Sequence, residues 1–368
     1  MKIGRRTKKI TLHHAIGIDI SDGSLELINI SEYQEGNLSI DEHARVTLPD
    51  HTIIHGAISD KKSLDHAFDE LIRKAQLEKK EVNAVISALP DSQVLLKTIP
   101  LSNIPHDTTL KYLDSIARDA FQELNVNIEK PVIQWRYIPK NRDGGQELIL
   151  YIANQQLVNE WRDYFERHHM HLVGLEMESL AVARSLIQRS ARDEITVIID
   201  FGYRETNLSV IDETGLRYSH SIDQGGFTIT HTVAEKLNKT AEGAEKLVRT
   251  VGTNVKANKD VGSIIRLLVK GIAQLFSEGL PKEYSKPKKI IVTGGGALIP
   301  GVKNIIEEIF GVKTVSVSPW ILANKQKNIH LKHTKLNKND HHLYTGAIGL
   351  ALRGTNLSSS WKSINFIS

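Results

Sequence analysis

The sequence of 368 residues is longer than one typical small domain, which predicts two or more lobes. Its composition, 40% hydrophobic and 24% charged, is that of a soluble globular protein, and a net charge of only +4 gives no reason to expect nucleic-acid binding. Without cysteine, the chain cannot use disulfides, thiolate catalysis or Cys-ligated metals. No apolar run approaches the length of about 20 residues that crosses a bilayer, so we expect a cytoplasmic protein that meets a membrane only peripherally.

The first half of the chain shows alternating strand and helix patterns. The predicted strands are near 14–20, 25–30, 43–48, 82–90, 94–99, 132–138 and 147–153, and the predicted helices near 62–76, 110–124 and 157–165. The last two strands flank the turn-rich sequence PKNRDGG, which predicts a strand pair. Residues 83–172 are therefore expected to form a compact βαβ-type insertion of the size of a small domain.

The second half begins with a predicted helix and then repeats the strand patterns of the first. The predicted elements are a helix at 174–189, a hairpin at 196–211, a strand at 215–222, helices at 227–237 and within 239–286, a strand–loop–helix unit at 288–310 and a helix at 342–354. In the long helical stretch, Ile264, Leu268, Ile272 and Leu275 are expected to face inward because they recur at helical spacing.

Two segments share one pattern, an apolar strand ending in Asp, a short polar turn and a second strand. AIGIDISDGSLELINI and TVIIDFGYRETNLSVI place Asp19 and Asp200 181 positions apart. Backbone N–H groups in such turns bind phosphate, and an Asp at a strand end can hold Mg²⁺ through water. Each hairpin alone is more simply explained by an Asp that stabilises its own turn. The duplication predicts matched halves with a ligand in the cleft between them.

Three consecutive glycines, Gly294, Gly295 and Gly296, lie between a predicted strand and a predicted helix. Backbone without side chains lets a flat or charged ligand approach the helix N-terminus. The stretch is not a P-loop, because Val302 stands where lysine is required and Lys303 comes one position later. It also lacks the spaced third glycine of a dinucleotide-binding fingerprint. Alone, it is as well explained by a tight strand–helix turn.

Two Asp-tipped hairpins followed by a strand–GGG–helix unit form the ATP-site pattern of the actin, Hsp70 and sugar-kinase superfamily. Within that superfamily the chain resembles the PilM family of cytoplasmic actin-like proteins of type IV pilus assembly. The resemblance is carried by GIDISDGSLEL, GLEMESLAVARSL, IIDFGYRETNLSVI, GLRYSHSIDQGGFTIT, IIVTGGGALIPG and AIGLALRG. It extends from about Ala15 to Gly354.

The resemblance implies a site for ATP and Mg²⁺ in which the two hairpins are phosphate loops. Asp19 and Asp200 would face the metal ion through water, and Glu178 would stand at the catalytic position that orients water in active relatives. The other implied nucleotide-binding residues are Ser21, Asp22 and Gly23 in the first loop, Gly202, Thr206 and Asn207 in the second, Gly225 and Gly226 where the chain passes the nucleotide, Glu245, and Gly294, Gly295 and Gly296 against the adenosine.

The chain departs from the family pattern in three places. Ser21 stands where glycine is usual, so the first turn has less freedom for positive φ. Tyr203, Arg204 and Glu205 replace smaller residues in the second loop, where Glu205 would add negative charge near the γ-phosphate. Val248 stands where the family tends to place a lysine near the ribose. These departures favour ATP binding with weak or no hydrolysis.

The implied fold class is α/β, a two-lobed actin-like (ribonuclease-H-like) duplicated fold with an inserted α/β subdomain, as in PilM and FtsA. The expected domains are a basic tail at 1–13, a first lobe at 14–82, 173–192 and 340–355, the insertion at 83–172, a second lobe at 193–339 with a helical subdomain at 236–286, and a loose C-terminal tail at 356–368.

The function that the resemblance implies is that of a scaffold at the inner face of the cytoplasmic membrane. It would bind the N-terminal peptide of the inner-membrane protein PilN, and other pilus inner-membrane or motor proteins, with the peptide in a groove between the first lobe and the insertion. Two other classes stay open. An FtsA-like membrane-associated filament protein needs a firm C-terminal membrane helix, and a small-molecule kinase needs a general base near the γ-phosphate and a substrate pocket.

Overall fold

The computed structural model describes residues 14–34, 37–77, 84–102, 104–105, 108–187, 194–317, 340–355 and 364–367. The predicted basic tail at 1–13 lies outside these ranges. Within them, no helix combines the length and the apolar character needed to span a membrane.

The strands and helices follow each other in mixed order along the chain. The strands are β1 His14–Ile20, β2 Ser24–Gln34, β3 Asn37–Thr47, β4 Ile53–Ile54, β5 Ala57–Ile58, β6 Ala84–Leu89, β7 Val94–Leu101, β8 Pro131–Ile138, β9 Gln146–Asn154, β10 His171–Met177, β11 Thr196–Phe201, β12 Thr206–Asp212, β13 Gly215–Ile222, β14 Lys289–Thr293 and β15 Thr314–Ser316. The helices are α1 Lys61–Lys74, α2 Leu110–Glu123, α3 Gln155–Arg167, α4 Glu178–Leu186, α5 Gly226–Leu237, α6 Ala241–Val251, α7 Lys259–Gly279, α8 Val302–Phe310 and α9 Thr345–Arg353.

Two five-stranded sheets have the same topology. In the order β3-β2-β1-β6-β10, the first three strands are antiparallel and the last two run parallel to β1. The second sheet, β13-β12-β11-β14-β15, repeats this arrangement around β11. Asp19 lies near the end of β1 and Asp200 near the end of β11, each just before its hairpin turn. The structure therefore confirms the predicted duplicated, two-lobed α/β fold.

Helices bury the faces of both sheets. In the first lobe, Phe68 of α1 packs in one core with Leu25 and Leu27 of β2, while Ile348 of α9 packs against Ile28 on the opposite side. Helix α1 begins where the Asp60 carboxylate accepts hydrogen bonds from the N–H groups of the first turn, which replaces missing backbone acceptors. In the second lobe, α5 to α8 cover the sheet and form a separate core.

The inserted subdomain is an antiparallel sheet rather than a βαβ unit. Its strands have the order β7-β9-β8, and both pairs are antiparallel, with α2 against one face. The predicted range 83–172 also includes β6, which is hydrogen-bonded between β1 and β10 in the first-lobe sheet. The sequence missed this because a short, continuously apolar strand looks the same in either sheet.

The segment predicted as one helix at 174–189 begins as a strand. β10 runs to Met177 in parallel with β6, and α4 begins at Glu178. Buried Glu176 at the end of β10 accepts hydrogen bonds from Arg184 at 2.6 Å and Arg353 at 3.0 Å. Pairing within the sheet and this buried ion cluster outweigh the helical propensity of the sequence.

The end of the predicted loose tail is packed against the protein. Ile364 and Phe366 are 5% and 2% exposed, and Phe366 N donates a hydrogen bond of 2.8 Å to Leu175 O in β10. The prediction of a loose tail is therefore wrong for residues 364–367, because two apolar side chains suffice to hold a short segment in a preformed seam.

Candidate functional site

The first hairpin turn is closed by its own serines. Ser21 N donates to Ser24 O at 3.0 Å, and Ser21 Oγ accepts from Ser24 N at 3.1 Å. Ser21, which stands in place of the expected glycine, therefore completes the turn with its hydroxyl. A side chain at Gly23 would collide with the Tyr203 ring, so this residue marks a close approach between the two lobes.

The second turn rests on the beginning of α5. Gly226 N donates to Gly202 O at 3.0 Å, and Phe227 N donates to Tyr203 O at 2.8 Å. A Cβ at Gly225 would meet Tyr203 O at 2.5 Å, so only glycine permits this contact. The turn that carries Asp200 is thus held by the helix N-terminus that follows β13.

The glycine loop after β14 lies directly over the end of β11. Gly294 has a φ of 79°, which favours glycine, and a Cβ there would overlap the Asp200 carboxylate. A Cβ at Gly296 would overlap the Phe201 ring. The three glycines thus bring backbone next to the second Asp, as a ligand loop requires.

A cavity of about 550 Å³ lies between the lobes, a size within the range of small-molecule sites. Eleven of the fifteen predicted site residues line it: Asp19, Ser21, Gly23, Glu178, Asp200, Gly202, Gly226, Glu245, Gly294, Gly295 and Gly296. Elements from both halves of the chain therefore meet at one cavity, as the duplicated hairpins predict.

Four predicted residues do not line the cavity and support the turns instead. The Asp22 carboxylate accepts hydrogen bonds from His55 N at 2.9 Å and Gly56 N at 3.2 Å, which fastens the β4–β5 hairpin. Thr206 Oγ1 donates to Gln224 O at 2.6 Å. Asn207 and Gly225 are placed by strand pairing and by the close contact at α5.

The carboxyls of the cavity repel one another. Burial, together with the charges of Glu26 and Asp200, raises the pKa of Asp19 to about 8. Burial, Asp91 and Glu26 raise the pKa of Asp200 to about 7. Burial, Asp19 and Asp200 also raise the pKa of Glu178 well above its ordinary value. A bound cation would relieve this repulsion, so the charge distribution suits a metal–nucleotide complex.

Sequence reasoning missed the cationic residues of the cavity. Arg45 Nε donates to Glu26 Oε1 at 2.7 Å, and Arg249 donates both to Glu245 Oε1 at 2.7 Å and to Gly295 O at 2.6 Å. Arg249 follows the position where lysine was expected, and its spacing of four residues from Glu245 in α6 was a usable signal.

The first turn of α9 is a further part of the cavity that the sequence did not single out. Thr345 and Gly346 line it, and a Cβ at Gly346 would overlap the Asp19 carboxylate. Thr345 also shares a hydrogen bond of 2.7 Å with Thr293 at the end of β14. The small residues of TGAIG, inside the helix predicted at 342–354, are the signal in the sequence that could have indicated this close approach.

The described residues contain no group of three or more His, Asp or Glu side chains placed to hold a metal ion. Asp19 and Asp200 do line one cavity, and the charge of Asp200 contributes to the raised pKa of Asp19. This arrangement fits Mg²⁺ that reaches the carboxylates through water and is bound mainly by phosphate oxygens.

Arg204 and Glu205 of the second turn also contact the first lobe, and these contacts are called the clasp below. Arg204 donates to Asp50 Oδ1 at 3.1 Å and lies over the Phe227 ring at 4.5 Å. Glu205 Oε1 accepts from Ser92 at 2.9 Å and lies 3.3 Å from His55 Nδ1. The Glu205 carboxylate thus bridges the lobes instead of lining the cavity where a γ-phosphate was expected to meet it.

We expect Arg204→Ala to loosen this clasp with little loss of global stability. An exposed ion pair contributes less than about 1 kcal/mol, so the free energy of unfolding should hardly change. Amide hydrogen exchange in the β4–β5 hairpin should accelerate, because that hairpin borders the clasp. The control is Arg266→Ala, which removes a similar exposed pair with Glu308 in the second lobe. Equal exchange in both variants would contradict the clasp.

The model of the family described as type IV pilus assembly protein PilM matches residues 17–355. A solved structure of the PilM–PilN type IV pilus biogenesis complex superimposes with a TM-score of 0.72 at 19% identity, covering 94% of this chain and 99% of that one. MreB5 of Spiroplasma citri bound to AMPPNP gives a TM-score of 0.55 at 14% identity, covering 95% and 98%.

Among curated proteins, the cell division protein FtsA of Streptococcus pneumoniae is 21% identical over 343 residues, which covers 81% of this chain and 74% of FtsA. FtsA of Enterococcus faecalis is 24% identical over 186 residues, covering 44% of this chain and 42% of that protein. At these identities the structural likenesses show the actin-like fold, and the family match covers most of the chain.

Proposed function

Because the chain belongs to the PilM family of type IV pilus assembly proteins, we propose that it is a nucleotide-binding scaffold of that machinery. It binds ATP with Mg²⁺ in the cleft between its lobes and the N-terminal segment of PilN in a groove beside the insertion. It works in the cytoplasm, at the inner face of the membrane, through its partners.

The observation that carries the nucleotide proposal is the shared cavity at the two Asp-tipped turns. The turns approach from opposite lobes, and the glycine loop and the start of α9 meet the same cavity. Both arginines of the lining are engaged by Glu26 and Glu245. Phosphate binding is therefore assigned to the metal ion and to backbone N–H groups of the turns other than those of Ser21, Ser24 and Gly202, which donate within the turns.

Asp19 and Asp200 would hold Mg²⁺ through water, and the ion would supply positive charge beside the phosphates. That charge would offset the burial and the neighbouring carboxyls that raise both pKa values, so Asp19 and Asp200 would ionise at neutral pH. Metal–nucleotide binding is then accompanied by proton release from the two carboxyls.

Glu178 is poorly suited to activate water. A general base must be deprotonated, and burial together with four neighbouring carboxyls raises the pKa of Glu178. We therefore propose that ATP is a conformational ligand with weak or no hydrolysis. It stabilises the arrangement in which the clasp between Arg204 and Asp50 is closed.

The proposed peptide groove follows the outer edge of β10, next to β8 of the insertion. β10 is the last strand of its sheet, so its free edge carries backbone groups that an extended peptide can pair with. Gln134 of β8 lies across this seam and offers a side-chain amide. Apolar side chains of the peptide would supply most of the affinity.

The test is calorimetric titration of the full chain with a synthetic PilN N-terminal peptide, with and without Mg·ATP. We expect a one-to-one complex whose affinity changes when the nucleotide is bound, because both ligands act on the first lobe. The absence of heat with any peptide concentration would refute the scaffold. Sedimentation of polymers with ATP and lipid would favour an FtsA-like filament, and transfer of labelled phosphate to a small molecule would favour a kinase.

A further inference from the structure

The C-terminal segment at residues 364–367 lies in the seam that is proposed as the peptide groove. Phe366 N donates to Leu175 O at 2.8 Å, and the Asn365 carboxamide oxygen accepts from Leu175 N at 3.0 Å. The same carboxamide donates to Val173 O at 3.3 Å. The segment therefore hydrogen-bonds both the backbone N–H and the backbone C=O of Leu175 at the outer edge of β10.

The segment contacts the insertion as well as the first lobe. Asn365 N donates to the side chain of Gln134 in β8 at 3.4 Å. Ile364 and Phe366 enter the main core of the first lobe, and the partly buried Ile367 packs against that core. Two apolar anchors flanking one Asn, held by backbone groups of an edge strand, are the features of a bound extended peptide.

We propose that residues 364–367 are a resident intramolecular ligand of the peptide groove, which a partner peptide must displace. This inference rests on the proposed function for the identity of the displacing peptide. The described segment is four residues long, and no disulfide or metal site is found among the described residues. A segment joined to the same chain acts at a high effective concentration, so even weak contacts keep the groove filled.

The consequence is a lowered apparent affinity for the partner. When a site is free in only a fraction of molecules, the apparent dissociation constant is raised by the inverse of that fraction. Weakening the segment without touching the groove therefore tightens partner binding. Substitution of a residue that contacts the partner peptide would weaken its binding. Tighter partner binding after a substitution in residues 364–367 therefore indicates that the segment competes for the groove.

The experiment compares the full chain with Asn365→Ala and Phe366→Ser by titration with the PilN peptide. We expect Asn365→Ala to bind about tenfold more tightly, because its two hydrogen-bonded contacts to β10 are lost from the competing segment. The matched control is Asn258→Ala, which removes the cap of α7 in the second lobe and should leave peptide affinity unchanged. Thermal unfolding verifies that each variant is folded.

Hydrogen exchange of residues 171–177 provides a second readout that does not depend on PilN. Exchange should be faster in Asn365→Ala than in the natural chain, and a synthetic peptide of residues 361–368 should slow it again. Equal PilN affinity in all folded variants, or PilN binding that leaves 364–367 protected, would overturn the inference. If PilN binds none of them, the scaffold proposal fails, and the exchange result alone decides whether the segment fills the groove.

Discussion

Gly349→Ala should destabilise the protein by at least about 3 kcal/mol, because it places a methyl group into the backbone of a neighbouring helix. Helix α9 crosses α4 at this point, and a Cβ on Gly349 would overlap the carbonyl oxygen of Ala181. Gly17 in β1 shows the same closeness to Ala347 of α9. Because backbone atoms cannot rotate away, the helix must shift as a whole. Guanidinium unfolding measures the loss.

The matched control is Gly271→Ala in the middle of α7. No atom lies within 4 Å of the Cβ position there, so alanine adds helix propensity without a clash. We expect this variant to be more stable by roughly 0.5–1 kcal/mol. If Gly349→Ala proved as stable as the natural chain, the close packing of α9 on α4 would be wrong.

Asp19→Asn should stabilise the free protein at alkaline pH and weaken Mg·ATP binding by about 100-fold. The carboxylate is partly desolvated and faces Glu26 and Asp200, so its charge opposes folding. The same negative charge would attract a bound metal ion through an intervening water molecule. Opposite effects on stability and affinity therefore distinguish a ligand-binding carboxylate from a structural one.

The pH dependence follows from the raised pKa. Asp19 has a pKa of about 8 when folded, against an ordinary value of 3.8, so the folded state holds the extra proton between these values. Stability of the free protein should therefore fall as pH rises from about 4 to 8. Asp200, with a pKa of about 7, adds to the same loss. Asp19→Asn should recover on the order of 2 kcal/mol at pH 8.5.

The measurements are thermal unfolding from pH 5 to 9 and calorimetry with Mg·ATP. Asp260→Asn, in the first turn of α7, controls for the loss of an aspartate outside the cavity. A natural chain whose stability rises steadily from pH 5 to 9 would contradict the repulsion among Asp19, Glu26 and Asp200. Unchanged nucleotide affinity in Asp19→Asn would remove this residue from the site.

The sequence predicted most elements, and its inward-facing set for α7 was right for Ile272, which is 3% exposed, and wrong for Leu275. Ile264 and Leu268 are partly buried against the same core. Leu275 was expected in the core and is 48% exposed, whereas Ile265, Val269 and Phe276 are buried. Apolar residues cover more than one side of this helix, and periodicity cannot select among adjacent stripes. The neighbouring helices decide which stripe is covered, because α7 packs on α8 and on α5.

Local sequence patterns were sufficient to predict the duplicated α/β fold and the approximate place of the site. A strand ending in Asp19 or Asp200, a polar turn and a returning strand are local patterns with a period of two. The glycines after β14 are equally local, since positive φ at Gly294 is readable as a demand for glycine. These patterns depend only on residues that are close together in the sequence.

Which groups share an environment could be seen only in the folded chain. The raised pKa of Asp19, the pairing of Glu205 with Ser92, and the docking of Phe366 on β10 each join residues far apart in sequence. Burial and Coulomb interaction depend on distance through space, which no local pattern encodes. Hence the sequence located the two turns, and the folded chain determined the charge around them and the contacts of Arg204, Glu205 and Phe366 with distant segments.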